Sequence, residues 1–172
     1  MNKLILKQLT YFNRINVPKY IEAKIQMTAL NHLDLSDMGK LRDRMEGQSY
    51  YNKLKTDIFA EFAFESIIGI RNFDWDKRSV KSFKRKKYIF ENKELNIILF
   101  ENEDFPKINT EHINNYIFAY VNMDNRVLLS RLATKSYIIE IAKKQNEKVI
   151  EITDFQNLID FSSVDELISK ME

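Results

Sequence analysis

The feature that most constrains this chain is an apolar stretch that carries carboxylates, TDIFAEFAFESIIG at residues 56–69. Its hydrophobic content is that of a buried helix. Asp57, Glu61 and Glu65 nevertheless recur at intervals of four, and residues four apart lie along one edge of a helix. Burying a carboxylate is costly unless a cation, a hydrogen-bond network or water receives it. The fold must therefore open this edge to solvent or bring a cation to it.

The composition is that of one folded domain and excludes several kinds of site. A chain of 172 residues with 44% hydrophobic residues can bury a substantial core, so residues 1–172 are expected to form a single domain. Because the chain has no cysteine, disulfides and thiolate chemistry are excluded and a cytoplasmic location is expected. It contains no glycine-rich phosphate-binding motif. No apolar run has the length of a membrane span, so no membrane association is expected.

Helical periodicity dominates the first part of the chain. Pro18 suits a first helical position, and apolar residues recur behind it at helical spacing. Residues 1–50 are therefore expected to form a helical lead-in, with a second short helix over 36–45. The carboxylate-bearing stretch predicts a long helix over about 53–68. Gly69 is a suitable residue to end it.

The second half of the chain is rich in β-forming residues. KKYIFENKELNIILF is typical of two strands around a turn, and NYIFAYVNMDNRVLLSRLAT predicts a second hairpin with strands at 116–122 and 127–133. A helix in KSYIIEIAKKQ, a late strand in EKVIEI and a terminal helix capped by Ser162 or Ser163 follow. The expected fold is an α+β (or α/β) domain, in which helices flank a mixed sheet of two hairpins and the late strand.

A basic stretch, DKRSVKSFKRKK at residues 76–87, follows the carboxylate-bearing helix. It holds seven Lys or Arg residues against one Asp, so the surface it forms is expected to be positive. Trp75, Phe83 and Tyr88 interleave with these charges, and aromatic rings can stack on unpaired bases. The lysines either protect a strand edge from aggregation or contact the phosphates of DNA or RNA. The residues that would bind nucleic acid are Lys77, Arg78, Lys81, Lys84, Arg85, Lys86 and Lys87.

KLKTDIFAEFAFESIIG resembles the helix of PD-(D/E)XK (restriction-endonuclease-like) nuclease-fold proteins of the phage and bacterial type. EFAF at residues 61–64 is similar to the Glu-x-Ala-Phe element of that family, and Gly69 to the glycine that ends the helix. Three further segments resemble the family's helical lead-in, late strand and C-terminal part: AKIQMTALNHLDLSDMGK, RVLLSRLATKSYI and VIEITDFQNLIDFSSVDELI. The resemblance implies that residues 53–168 form a nuclease-like core.

Such enzymes hold a divalent metal between acidic groups of a central hairpin and a glutamate of the first helix, and a nearby lysine orients the attacking water. The resemblance therefore implies Glu61 as a ligand of Mg²⁺, with Glu94 and Asn96 as further catalytic candidates. The sequence departs from the family in ELNIILFE, where Asn96 stands at the acidic position and Ile98 at the lysine position. A second register would use Glu94, Glu101 or Glu103 as the acidic residue, with Lys107 as the cation.

Three functions of different classes follow from these patterns. The first is binding of DNA or RNA by a nuclease-like fold with weakened or absent catalysis. The second is an active Mg²⁺-dependent endonuclease whose catalytic residues lie in another register. The third is a phage or mobile-element module that binds a protein partner and uses the fold as a scaffold. The departure at Asn96 and Ile98 favours the first function and predicts little or no cleavage with Mg²⁺ or Mn²⁺.

Overall fold

A computed structural model describes the chain at residues 6–34, 45–83, 87–101, 104–122, 124 and 126–172. The fold is α+β, as the sequence predicts, with a five-stranded mixed sheet and a separate two-stranded sheet. The described helices are α1 (Lys19–His32), α2 (Met45–Ile67), α3 (Trp75–Ser79), α4 (Lys135–Gln145) and α5 (Val164–Lys170). The strands are β1 (Phe12–Asn16), β2 (Lys87–Phe90), β3 (Lys93–Leu99), β4 (Lys107–Asn109), β5 (Asn115–Val121), β6 (Arg126–Ser130) and β7 (Val149–Glu151).

The long helix α2 ends where the sequence predicts. Gly69 has a φ of 79°, in the left-handed region that favours glycine. Its N–H donates to the carbonyl of Ser66 at 3.4 Å, and the N–H of Ile70 donates to the carbonyl of Glu65 at 2.9 Å. This pair of bonds is a Schellman motif, which satisfies the last carbonyls of a helix.

At its other end α2 begins earlier than predicted, at Met45 instead of about residue 53. The longer helix includes Gly47, but one glycine inside a helix costs only about 1 kcal/mol. Burial of Tyr51 and Leu54, which are 2% and 5% exposed, outweighs that cost. The short helix predicted over residues 36–45 lies outside the described residues, apart from its last position.

The five-stranded sheet has the order β1-β6-β5-β3-β2. Both predicted hairpins are confirmed, β2 with β3 and β5 with β6. Glu91 and Asn92 form the turn of the first hairpin with φ values of 47° and 68°, as a two-residue turn of type I′ requires. β3 and β5 run parallel and join the two hairpins into one sheet.

Two predictions about the strands were wrong. Residues 12–16 belong to the segment expected to be helical, but they form β1, which pairs with β6. The late strand β7 does not join the main sheet and instead pairs with β4. The reason is topological, because β6 has β5 on one side and β1 on the other, which leaves no pairing edge there for β7.

The main sheet separates two hydrophobic cores. One core lies between the sheet and helices α1, α2 and α5, and the other lies between the sheet and α4 with the β4–β7 pair. Phe59 and Ala63 of α2 are fully buried as expected, whereas Phe62 and Ile67 are only half-buried. No helix in the described part of the chain has both the length and the apolar character that a membrane crossing needs.

Candidate functional site

The carboxylate-bearing edge of α2 is buried, and a guanidinium from α3 faces it. Glu61 and Glu65 are 1% and 5% exposed, and Arg78 is 5% exposed. Arg78 Nε donates to Glu61 Oε2 at 2.6 Å, and Arg78 Nη2 donates to Glu65 Oε1. Of the two alternatives that the sequence leaves for this edge, exposure to solvent is therefore wrong, and a cation from the basic stretch of the same chain faces the carboxylates.

Local structure holds Arg78 in this position. The carboxylate of Asp74 caps α3 by accepting from the N–H of Lys77 at 2.9 Å, and the Asp74 carbonyl accepts from Arg78 Nη1 at 3.1 Å. The guanidinium carbon lies 3.8 Å from the centre of the Phe73 ring, in a cation–π contact. Burial lowers the pKa of Arg78, but the hydrogen bond to Glu61 and the charges of both glutamates outweigh it and leave the pKa raised. Arg78 therefore stays charged.

Tyr88 of β2 completes the polar cluster. Its hydroxyl donates to Glu65 Oε1 at 3.1 Å. Burial, followed by the negative charges of Glu61 and Glu65, raises the pKa of the Tyr88 hydroxyl far above its ordinary value. The hydroxyl consequently remains a proton donor. Because Tyr88 and Arg78 both donate to Oε1, the hydrogen bonds of Glu65 use only one of its two carboxylate oxygens.

Glu94 and Asn96, the hairpin residues implied by the resemblance, lie on the opposite face of the sheet. Leu95 and Ile97 of β3 are buried in the core beneath α2, and side chains alternate between the two faces along a strand. Glu94 accepts from Lys87 Nζ at 2.5 Å and from Asn96 Nδ2 at 3.0 Å. The hydrogen bond from Lys87 is the main cause that lowers the pKa of Glu94.

These placements do not fit the Mg²⁺ site that the resemblance implies. Glu61 faces a guanidinium, and the sheet separates it from Glu94 and Asn96. The described ranges contain no cluster of three or more His, Cys, Asp or Glu side chains that could hold a metal ion. In the second register, Lys107 pairs with Glu151 at 3.5 Å, and Glu103 lies outside the described residues. No catalytic step through a metal follows from this arrangement.

The basic stretch divides into buried and exposed charges. The side chain of Arg78 is enclosed and is therefore not a phosphate contact, contrary to the prediction. Lys77, Lys81 and Lys87 are exposed. Lys81 Nζ lies 3.6 Å from Asp34 Oδ2, in a pair whose two side chains are more than 70% exposed and remain accessible. Three further predicted contacts lie outside the described residues, namely Lys84, Arg85 and Lys86.

A cleft of about 730 Å³ lies between the edge of α2, the helix α3 and the strand β2. We call it the α2–β2 cleft. Its most buried lining residues are the polar cluster of Glu61, Glu65, Arg78 and Tyr88. Its more exposed lining residues are of mixed character. They are the apolar Val80, Phe83 and Ile89, the basic Lys77 and Lys87, and the polar or acidic Asn72, Asp74 and Ser82. The cleft thus has an acidic floor and a more exposed outer part that combines apolar, basic and other polar side chains.

Sequence reasoning missed this cleft and the role of Arg78. The signal was present, because two carboxylates spaced by four on an apolar helix require a cation and a dense basic stretch follows at residues 77–87. Choosing Arg78 among seven basic residues needs the fold of α3. Comparisons with family models, with curated proteins and with solved structures find no match to this chain, so the nuclease resemblance stays a prediction.

Proposed function

We propose that this protein binds DNA or RNA through the basic stretch of residues 76–87, without efficient cleavage. The observation that carries the proposal is the set of exposed lysines in this stretch, Lys77, Lys81 and Lys87. Lys77 and Lys87 line the α2–β2 cleft, and Lys87 also pairs with Glu94. Further basic residues fall between Lys81 and Lys87 in the sequence. A surface of this charge attracts phosphates and releases counterions when it binds them.

Protection of a strand edge explains these lysines less well. Only Lys87 lies on the edge strand β2, whereas Lys77 belongs to α3 and Lys81 follows that helix. Charges on a helix and a turn do not guard a sheet edge against pairing. The position of Lys77 and Lys81 therefore supports ligand contact. Weak catalysis is supported by the guanidinium that Glu61 already faces.

The aromatic residues of this region contribute unequally to the proposal. The Trp75 ring packs 4.5 Å from the Phe73 ring, and the Tyr88 ring packs 4.9 Å from the Phe64 ring. Both rings are thus engaged within the protein, which argues against their stacking on bases. Phe83 is half-buried and lines the α2–β2 cleft. Its ring lies beside two cations, 5.6 Å from Lys77 Nζ and 5.5 Å from the guanidinium carbon of Arg78, and it is the aromatic residue that we propose contacts a base.

Fluorescence anisotropy with short labelled single-stranded DNA, RNA and duplex DNA tests the proposal. The variant Lys77→Gln/Lys81→Gln/Lys87→Gln is expected to bind all sequences more weakly, since phosphate contacts carry no sequence information. The matched control removes three exposed lysines elsewhere, Lys135, Lys143 and Lys148, and is expected to bind as the wild type does. Absence of binding by the wild-type protein, or equal losses in the two variants, would refute the proposal.

A further inference from the structure

The order of chemical groups in the α2–β2 cleft is unusual for a surface that contacts only phosphates. A phosphate-binding groove is expected to be basic throughout, because a carboxylate repels the ligand. Here the buried floor carries Glu61 and Glu65 against one guanidinium, while the exposed cation Lys77 lies further out, next to Asp74, whose carboxylate caps α3. A ligand that enters this cleft must therefore turn hydrogen-bond donors inward and negative charge outward.

A nucleotide has this order of groups. Its base presents N–H donors on one edge and two flat apolar faces, and its phosphate is at the other end. Val80 is 52% exposed, so the lining of the cleft offers accessible apolar surface beside the half-buried ring of Phe83. The volume of about 730 Å³ falls within the range of about 300–1,000 Å³ that is usual for small-ligand sites.

The floor of the cleft discriminates between bases. Glu65 is buried, lines the cleft and has one carboxylate oxygen that none of its hydrogen bonds uses. A carboxylate only accepts hydrogen bonds. Guanine presents two donors side by side, at N1 and at the exocyclic N2. In adenine, cytosine and uracil each donor on the pairing edge has an acceptor beside it, which a carboxylate repels.

We propose that the α2–β2 cleft holds one unpaired guanine nucleotide of a bound DNA or RNA strand. The guanine donor edge meets Glu65, the base lies against Phe83, and Lys77 contacts the adjoining phosphate. This inference rests on the proposed function, and it narrows the ligand to single-stranded nucleic acid that contains guanine. Duplex DNA offers no such base, because pairing occupies the guanine donor edge.

The wild-type protein tests the inference without any substitution. Its affinity for guanosine monophosphate, inosine monophosphate and adenosine monophosphate can be compared by titration calorimetry. Inosine lacks only the exocyclic amino group of guanine, so its affinity is expected to be at least about tenfold lower, as for loss of a hydrogen bond to a charged group. Equal affinity for guanosine and inosine monophosphates would overturn the assignment of Glu65, even if the protein binds nucleic acid.

Glu65→Gln gives the second test, with single-stranded oligonucleotides that contain or lack guanine. Glutamine can still accept from Arg78 and Tyr88, but its amide group opposes the guanine donors. The variant is expected to lose the preference for guanine and to keep salt-dependent binding. Glu111→Gln, at an exposed position outside the cleft lining, is the control and should keep both.

The two proposals fail in different ways. Strong binding with no preference for guanine in the wild type overturns the inference alone. Absence of binding to any oligonucleotide overturns the proposed function as well. If Glu65→Gln does not fold, the comparison of guanosine and inosine monophosphates on the wild-type protein decides.

Discussion

Replacing Arg78 by methionine removes the cation that faces the buried carboxylates of α2. The change deletes the hydrogen bonds to Glu61 Oε2 and Glu65 Oε1, and also the bond from Nη1 to the Asp74 carbonyl. Methionine retains much of the aliphatic volume of arginine, so a cavity contributes little to the effect. The expected consequence is two carboxylates held in the protein interior without this cation.

The size of the effect follows from burial. Arg78, Glu61 and Glu65 are each at most 5% exposed, so solvent screens their interaction weakly. Two hydrogen bonds between charged groups contribute about 1.5–3 kcal/mol each. Removing one partner of a buried ion pair costs about 3–5 kcal/mol. The free energy of unfolding should therefore fall by about 3–5 kcal/mol, a large share of the roughly 5–15 kcal/mol that stabilises a domain.

Urea unfolding followed by circular dichroism at pH 7 measures this loss. Arg131→Met is the matched control, because Arg131 lies 3.7 Å from an exposed carboxylate of Asp160 and surface pairs contribute only about 0–1 kcal/mol. Lowering the pH to 5 should restore part of the stability of Arg78→Met, since protonation removes buried negative charge. A loss of less than about 1 kcal/mol for Arg78→Met would refute the burial of this cluster.

Three further predictions concern single residues. Gly69→Ala should lower the free energy of unfolding by about 1–2 kcal/mol. The added Cβ meets no atom within 4 Å, so the loss comes from the φ of 79°, which strains any residue other than glycine. An unchanged urea midpoint would contradict the Schellman motif. Phe64→Ala should lower the free energy of unfolding by about 3–5 kcal/mol, because Phe64 is fully buried. Phe62→Ala should lower it clearly less, because Phe62 is only half-buried, and the reverse order would contradict the orientation of α2. The pKa of Glu166 is lowered to about 2, mainly by the hydrogen bond from Lys170 and to a smaller extent by that from Ser162. The contribution of ionised Glu166 to the free energy of unfolding is therefore present above about pH 4.5 and is lost as the pH falls towards 2. Wild type should thus exceed Glu166→Gln in stability at pH 7 and lose that advantage at pH 2, and a difference independent of pH would contradict the prediction.

Local signals in the sequence account for much of the fold. α2 is an apolar helical run with glycine after its last turn, and both features are visible without tertiary context. The first hairpin has β-forming residues on each side of Glu91 and Asn92, and asparagine tolerates the positive φ that the turn needs. α5 begins at the predicted cap, where Ser163 Oγ accepts from the N–H of Glu166 at 3.2 Å.

The remaining features depend on contacts between distant segments. β1 reads FNRIN, a short polar sequence whose extended form is fixed by pairing with β6 more than a hundred residues later. The separate pairing of β4 with β7 likewise joins segments about forty residues apart. That Glu61 and Glu65 need a cation could be predicted from the sequence. Which residue supplies it could not, because the position of Arg78 depends on the packing of α3 against α1.

The salt dependence of nucleic-acid binding tests the central proposal most directly. If Lys77, Lys81 and Lys87 each contact a phosphate, removing all three should reduce the slope of log K against log[salt] by about 2 for a single strand, at about 0.7 per contact. The control variant at Lys135, Lys143 and Lys148 should keep the wild-type slope. Equal slopes for the wild type and the Lys77→Gln/Lys81→Gln/Lys87→Gln variant would contradict the assignment of this surface to nucleic acid.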